Sequence, residues 1–226
     1  KTANRIAEIC RNEKIDVIIG LGGGSVIDTS KGVRMILSQD SDDILKLSGY
    51  EGLPSGHSIP LCIIPTTSGT GSEVTGVAVI RDEDRDLKME FISTNIQPDI
   101  AVLDPRMTQS MPPKVTAATG MDALCHAIEG YTCLQKNPIS DAYAVTAVRT
   151  VSKNLIRAVK DGSDTDARIE MANAALMAGI SFSNSMVGIV HGIGHALGAV
   201  SRVPHGTAMN ILLPHCMMFN MYLCGD

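Results

Sequence analysis

The sequence has no tryptophan, and aromatic residues make up only 3% of it. A core for 226 residues must therefore come from Ala, Val, Ile, Leu and an unusual store of 12 methionines. Runs of Lys and Arg are also missing, and the formal net charge is −5. That excludes the basic stripe by which a nucleic-acid binder is recognised. No apolar stretch is long enough to span a bilayer, and no secretory leader is visible. The expectation is a cytoplasmic protein with neither a nucleic-acid nor a membrane partner. No Cys-x-x-Cys pair occurs among Cys10, Cys62, Cys125, Cys133, Cys216 and Cys224. In a chain this long and this rich in aliphatics they read as free thiols in a reducing compartment. The start lacks an initiator Met, and the end follows directly on an apolar helical run. Both ends are expected to be cut from something longer.

What is present divides at about residue 106. Ile6, Ile9 and Cys10 give residues 2–12 helical spacing. Residues 16–21 form a short apolar run that predicts a buried strand. Gly22-Gly23-Gly24-Ser25 then predicts a turn, and a helix follows from about Val26 to Ile36. A second buried strand is expected over 59–64, leaving into the turn Thr66-Thr67-Ser68-Gly69-Thr70-Gly71-Ser72. Residues 77–80 and 88–92 read as two strands joined by a charged turn over 81–86. A last strand over 99–103 stops at Asp104-Pro105. Beyond Met111-Pro112-Pro113 apolar residues recur only at helical spacing. The expected architecture is an α/β nucleotide-binding domain over 1–105 followed by an all-α metal-binding domain over 106–226.

A strand running through glycines into a helix can cradle a phosphate. Glycines let backbone N–H groups approach an anion, and the helix N-terminus adds partial positive charge. Ser25 is expected to cap that helix. The pattern matches neither Gly-x-Gly-x-x-Gly nor the Walker loop. The second polar, glycine-rich turn lies beyond the second strand, where ligands of open α/β sheets bind.

Asp122 and His126 stand four residues apart, on one face of a helix. His191 and His195 repeat the spacing, while His205 and His215 each follow a proline, as at a helix start. One carboxylate and three imidazoles suit a divalent ion such as zinc or iron(II). Five histidines compete for three places, and spacing alone does not choose among them. Cys125, one step from His126, falls on another face and is not read as a ligand. Such an ion polarises an alcohol or carbonyl oxygen but cannot carry a hydride. The phosphate turns and the metal cluster therefore need each other, which points to a metal-dependent redox enzyme.

In order and spacing the chain resembles the iron-containing (group III) alcohol dehydrogenase family, of the dehydroquinate-synthase-like fold. The resemblance rests on Gly22-Gly23-Gly24-Ser25-Val26-Ile27-Asp28, residues 64–75, Met111-Pro112-Pro113, residues 118–124 and His126-Ala127-Ile128-Glu129. It continues through residues 191–198 and Pro204-His205-Gly206. It implies that Asp122, His126, His191 and His205 bind the metal, iron(II) or sometimes zinc. It implies that Gly23, Gly24 and Ser25 hold the pyrophosphate of NAD or NADP. Thr66, Thr67, Ser68, Thr75 and Lys88 would line the rest of the cofactor site, with Asp28 near the nicotinamide. His195 matches the family's non-ligand histidine, a proton relay. The implied substrates are small alcohols and aldehydes, and a homo-oligomer, a dimer, is the expected assembly. Cys125 stands where many members carry Ser or Thr. The chain resembles the central part of such an enzyme, without the front section that helps choose NAD or NADP and without the last helices. A glycerol-dehydrogenase-like enzyme of the same fold, or an inactive nucleotide-binding fragment, are the competing readings.

Overall fold

A computed structural model describes residues 1–47, 59–82, 84–85, 87–201 and 203–222. Glu83 and Asp86 of the expected charged turn, and Cys224, lie outside the described residues. The chain packs into two units, Lys1–Thr66 with Ser72–Leu103, and Thr67–Gly71 with Asp104–Asp226.

The first unit is α/β. Strand β1 (Ile18–Gly22) pairs in parallel with β2 (Leu61–Pro65), from Ile18 opposite Leu61 to Gly22 opposite Pro65. Helices α1 (Thr2–Glu13) and α2 (Gly24–Ser38) pack against each other. An antiparallel hairpin, β3 (Val77–Asp82) and β4 (Leu87–Ile92), places Ala78, Met89 and Phe91 in the same apolar core as Ala7, Val33 and Ile36. The fifth strand, β5, is only Ile100–Ala101, parallel to β2. It is shorter than the run over 99–103 predicts. Asp99 takes up the ladder end instead, its side chain accepting from Leu61 N at 2.8 Å and its backbone N donating to Leu61 O at 2.9 Å.

The glycine turn is tighter than expected. Helix α2 begins at Gly24, with Gly23 as N-cap and no side-chain cap among the described residues. Ser25 is therefore in the first turn and does not cap it. Behind this turn lies a buried polar network that the sequence did not announce. Lys31 Nζ donates to Ser72 Oγ (2.8 Å), Thr75 Oγ1 (3.1 Å) and Val77 O (2.7 Å). Asp28 accepts from Ser72 Oγ (2.7 Å) and Val79 N (3.0 Å). The network fastens residues 72–79 to α2. Loss of solvent pushes the Lys31 ammonium down to about 8 and the buried Glu73 carboxyl up to about 7.

The second unit is helical: α3 (Pro113–Thr132), α4 (Pro138–Lys160), α5 (Thr165–Ser185), α6 (Ile189–Ser201) and α7 (His205–Met221). Alanines replace aromatics as the packing currency. Ala123, Ala127, Ala147, Ala174, Ala175 and Ala178 are all buried, which lets α3, α4 and α5 approach closely. Asn137 caps α4 through a full capping box, and Asp164 caps α5. Arg168 is buried and donates to Met111 O, Thr116 Oγ1 and Gly162 O. Pro214 does not precede a helix start, as the sequence suggested; it lies inside α7. The helix tolerates the lost backbone bond because Leu213 and Cys216 are buried on either side. Among the described residues no single helix is long and apolar enough to cross a membrane.

The segment Thr67–Gly71 owes its glycines to this helical unit. Gly71 has φ 61, and a Cβ there would sit 2.6 Å from Gly179 Cα and 2.7 Å from Ala175 O. Both the backbone sign and the close helix exclude a side chain.

Glu73 yields a pH-dependent expectation. Its folded value lies above the ordinary carboxyl value, so its contribution to stability is present below about pH 4.5 and is lost as pH rises through about 7. Glu73→Gln keeps the shape and cannot ionise. Urea unfolding at about pH 5 and about pH 8 is expected to show the variant gaining on the parent protein at the higher pH. A pH-independent difference contradicts the assignment.

Candidate metal centre

Three helices of the second unit supply the chemistry. Helix α3 carries Asp122 and His126 one turn apart, α6 carries His191 and His195, and α7 opens with His205. Asp122 Oδ1 lies 3.3 Å from His205 Nε2 and 3.6 Å from His191 Nε2. One donor atom from each of Asp122, His191 and His205 falls within 4.8 Å of the others. His126 stands beside this triad, its Nδ1 4.0 Å from Asp122 Oδ2. Its ring stacks between Phe182 (4.5 Å between centroids) and His191 (4.3 Å).

The hydrogen-bond account of these groups does not close. Asp122 Oδ1, His126 Nδ1, His191 Nε2 and His205 Nδ1 are buried with no hydrogen-bond partner among the described residues. Facing atoms at 3.3 and 3.6 Å are close enough to attract but are not aligned to bond. Buried polar atoms are normally satisfied, so Asp122 Oδ1, His126 Nδ1 and His191 Nε2 ask for a common partner, and it is Nε2 of His205 that faces the same carboxylate. One carboxylate and three imidazoles are a donor set suited to zinc or iron(II). The residues present therefore fit a divalent ion.

The electrostatics are set by burial and by the closeness of these groups to one another. Burial alone would raise the Asp122 carboxyl, but the imidazoles of His126, His191 and His205 hold it well below the usual carboxylate range. Burial, assisted by the neighbouring His191 and His205, pushes His126 down to about 3, leaving it neutral with a lone pair to offer. Burial acts to lower His191 as well, but Asp122 and Glu129 outweigh it and lift the imidazole to about 9. Cys125 shares α3 but turns away, its buried thiol directed at Met209 O at 3.7 Å.

The structure brings Asp122, His126, His191 and His205 together. His195 is half-buried beside them, its ring 5.7 Å from that of His191 and 5.3 Å from that of His205. His215 is exposed on α7 and has no place in the cluster. The expected cofactor residues are more dispersed. Gly23, Gly24 and Ser25 form the N-terminus of α2, without a side-chain cap or an acidic residue in its first turn. Thr66 N donates to Gly22 O at 2.9 Å, joining the C-terminal ends of β1 and β2. Asp28 and Thr75 spend their polar atoms in the Lys31 network. Lys88 is half-buried on β4, opposite Arg81. Thr67 and Ser68 belong to the helical unit, where Ser68 Oγ is buried without a hydrogen-bond partner among the described residues.

Three neighbours of the expected site residues were not legible in the sequence: Lys31, Phe182 and Glu129. For Glu129 a signal existed. Asp122, His126 and Glu129 follow the i, i+4, i+7 pattern of one helix face. If His191 is one of the ion's ligands, His191→Ala is expected to weaken zinc binding by more than about 100-fold while helix content is kept. Elemental analysis alongside circular dichroism checks this; normal metal content in the variant removes His191 from the set.

Comparison with known proteins follows the same lines. The family model "Iron-containing alcohol dehydrogenase" matches residues 1–105, and "Fe-containing alcohol dehydrogenase family, C-terminal" matches residues 116–225. "Alcohol dehydrogenase 4" of Schizosaccharomyces pombe is 41% identical over 219 residues, 96% of this chain and 51% of that protein. A solved 1,3-propanediol oxidoreductase superposes with a TM-score of 0.93 at 37% identity, covering 97% of this chain and 57% of that one. A sulfoacetaldehyde reductase from Bifidobacterium kashiwanohense, solved in complex with NAD+, gives 0.91 at 35% identity, over 96% and 58%. The chain spans about half the length of the curated relatives it matches. With both family models matched in sequence order, and an N-terminal α/β unit followed by a helical one as in the solved relatives, the chain belongs to the iron-containing alcohol dehydrogenase family.

Proposed function

We propose that this chain carries the redox machinery of a metal-dependent alcohol dehydrogenase that transfers a hydride between a small alcohol or aldehyde and NAD or NADP. The observation that carries the reading is the convergence of Asp122, His191 and His205, one donor atom from each within 4.8 Å of the others, with Asp122 Oδ1 and His191 Nε2 buried without a partner among the described residues. Asp122, His126, His191 and His205 would hold the ion, with iron(II) the leading candidate by family and zinc the alternative that the donor set admits. When bound, the ion supplies Lewis-acid polarisation of the substrate oxygen, and the nicotinamide gives or accepts the hydride.

The chain's own residues do the rest. The N-terminus of α2 offers backbone N–H groups to a pyrophosphate through Gly23, Gly24 and Ser25. Thr66, Thr67, Ser68, Thr75 and Lys88 complete the nucleotide site in this reading. Asp28 acts from beneath, fixing residues 72–79 against α2 through Ser72 and Val79. His195 lies beside the ligand set and is half-buried, so it can pass a proton between substrate and water. The names of the relatives, a 1,3-propanediol oxidoreductase and a sulfoacetaldehyde reductase, support a short alcohol or aldehyde as substrate. A cytoplasmic homodimer is the proposed setting.

The test is turnover of the protein loaded with iron(II) or zinc, using butanol or 1,3-propanediol with NAD and with NADP, followed by absorbance of the reduced nicotinamide. Turnover that needs the metal is expected. Bound nucleotide without turnover refutes the reading. A second expectation concerns the phosphate turn. Gly23 has an extended backbone (φ −82, ψ −175) that valine adopts without strain, so Gly23→Val can act only by filling space. It is expected to raise the Kd for the nucleotide by about tenfold or more, on the order of 1.4 kcal/mol. Calorimetric titration reads this, and unchanged affinity places the phosphate elsewhere.

A further inference from the structure

Glu129 is buried in the helical unit, and the chemistry above leaves it unused. Its Oε1 accepts from Val190 N at 2.7 Å and His191 N at 3.4 Å, N–H groups in the first turn of α6. Its Oε2 accepts from His191 Nδ1. One carboxylate thus caps a neighbouring helix and grips the imidazole in that helix's first turn. Gly188 makes room for it, since a Cβ there would lie 2.9 Å from Glu129 Oε1. Just before, Met186 has φ 68 and ψ −177, a backbone state that non-glycine residues avoid. Such strain persists where the surroundings over-determine it. The surroundings here include Cys133, the residue that caps the C-terminus of α3, whose thiol donates to Val187 O at 3.7 Å.

We infer that Glu129 is the positioning residue of the metal centre: by accepting the Nδ1 hydrogen of His191 it fixes the ring orientation that turns Nε2 toward Asp122 and leaves Nε2 as the atom for the ion. The inference rests on the ion site proposed above. It accounts for which nitrogen is left over. His191 Nε2, not Nδ1, is the buried atom without a hydrogen-bond partner, and it lies 3.6 Å from Asp122 Oδ1. Glu129 also places a second carboxylate next to the proposed ligand shell. Metal-bound histidines are commonly oriented in this way by a group outside the ligand shell.

Glu129→Gln separates orientation from packing. Its carbonyl can still cap Val190 N, but its amide then points a donor at His191 Nδ1. The ring must answer with its lone pair on Nδ1 and a hydrogen on Nε2, where the ion should sit. Turning the amide over sets its NH2 against Val190 N–H instead. Zinc affinity, measured by competition with a chromophoric chelator, is expected to fall about 10- to 100-fold. Helix content and Tm should remain near those of the parent. A well-folded variant that binds zinc as tightly as the parent overturns the inference. Should the variant not fold, nitrogen-15 NMR of the zinc-loaded parent decides. A slowly exchanging Nδ1–H with zinc on Nε2 of His191 is expected, and zinc on Nδ1 contradicts it. A parent protein that binds no zinc fails at the earlier step, since the ion site itself then falls and the role of Glu129 with it.

Discussion

The helical unit is organised around a desolvated carboxylate. Asp122 is buried on α3 with imidazoles from three helices turned toward it, yet its Oδ1 completes no hydrogen bond. A polar atom in that condition costs about 1–3 kcal/mol. Asp122 Oδ1 and His191 Nε2 share that condition 3.6 Å apart, and a cation between them would supply the missing partner. Much of the unit's remaining architecture offsets that cost: close alanine packing among α3, α4 and α5, two helix caps, and the buried Arg168.

Helix α3 is the ruler of the arrangement. Asp122, His126 and Glu129 recur at intervals of three or four along one stripe, and Cys133 caps the helix end. Asp122 and His126 face the His191 ring, and Glu129 and Cys133 hold the link into α6. Because His191 sits in the first turn of α6 and His205 opens α7, both lie where helix ends can be set by single contacts.

That hierarchy explains what was legible in the sequence. The i, i+4 pairing of Asp122 with His126 is local and survives folding unchanged. The passage from strand to glycines to helix is equally local. Which histidines complete the site is not. His195 and His215 have the same local credentials as His191 and His205, and only the packing of α6 and α7 excludes His215. The mid-helix Pro214 misled for the same reason, since burial of Leu213 and Cys216 overrides a local breaker. Lys31 is harder still. A lysine within a helix reads as solvated, and its burial depends on acceptors at Ser72, Thr75 and Val77, more than forty residues later. The two glycine-rich turns also differ in a way composition hides. The first leaves the N-terminus of α2 uncapped by any described side chain, whereas Gly71 in the second is demanded by α5.

The claim that one cation unites these helices is tested most directly by X-ray absorption spectroscopy of the protein loaded with a single equivalent of zinc. The account predicts a first shell of nitrogen and oxygen only, with the outer-shell scattering of several imidazoles at zinc–ligand distances near 2.0–2.2 Å. A shell containing sulfur, or one lacking imidazole scattering, would contradict it.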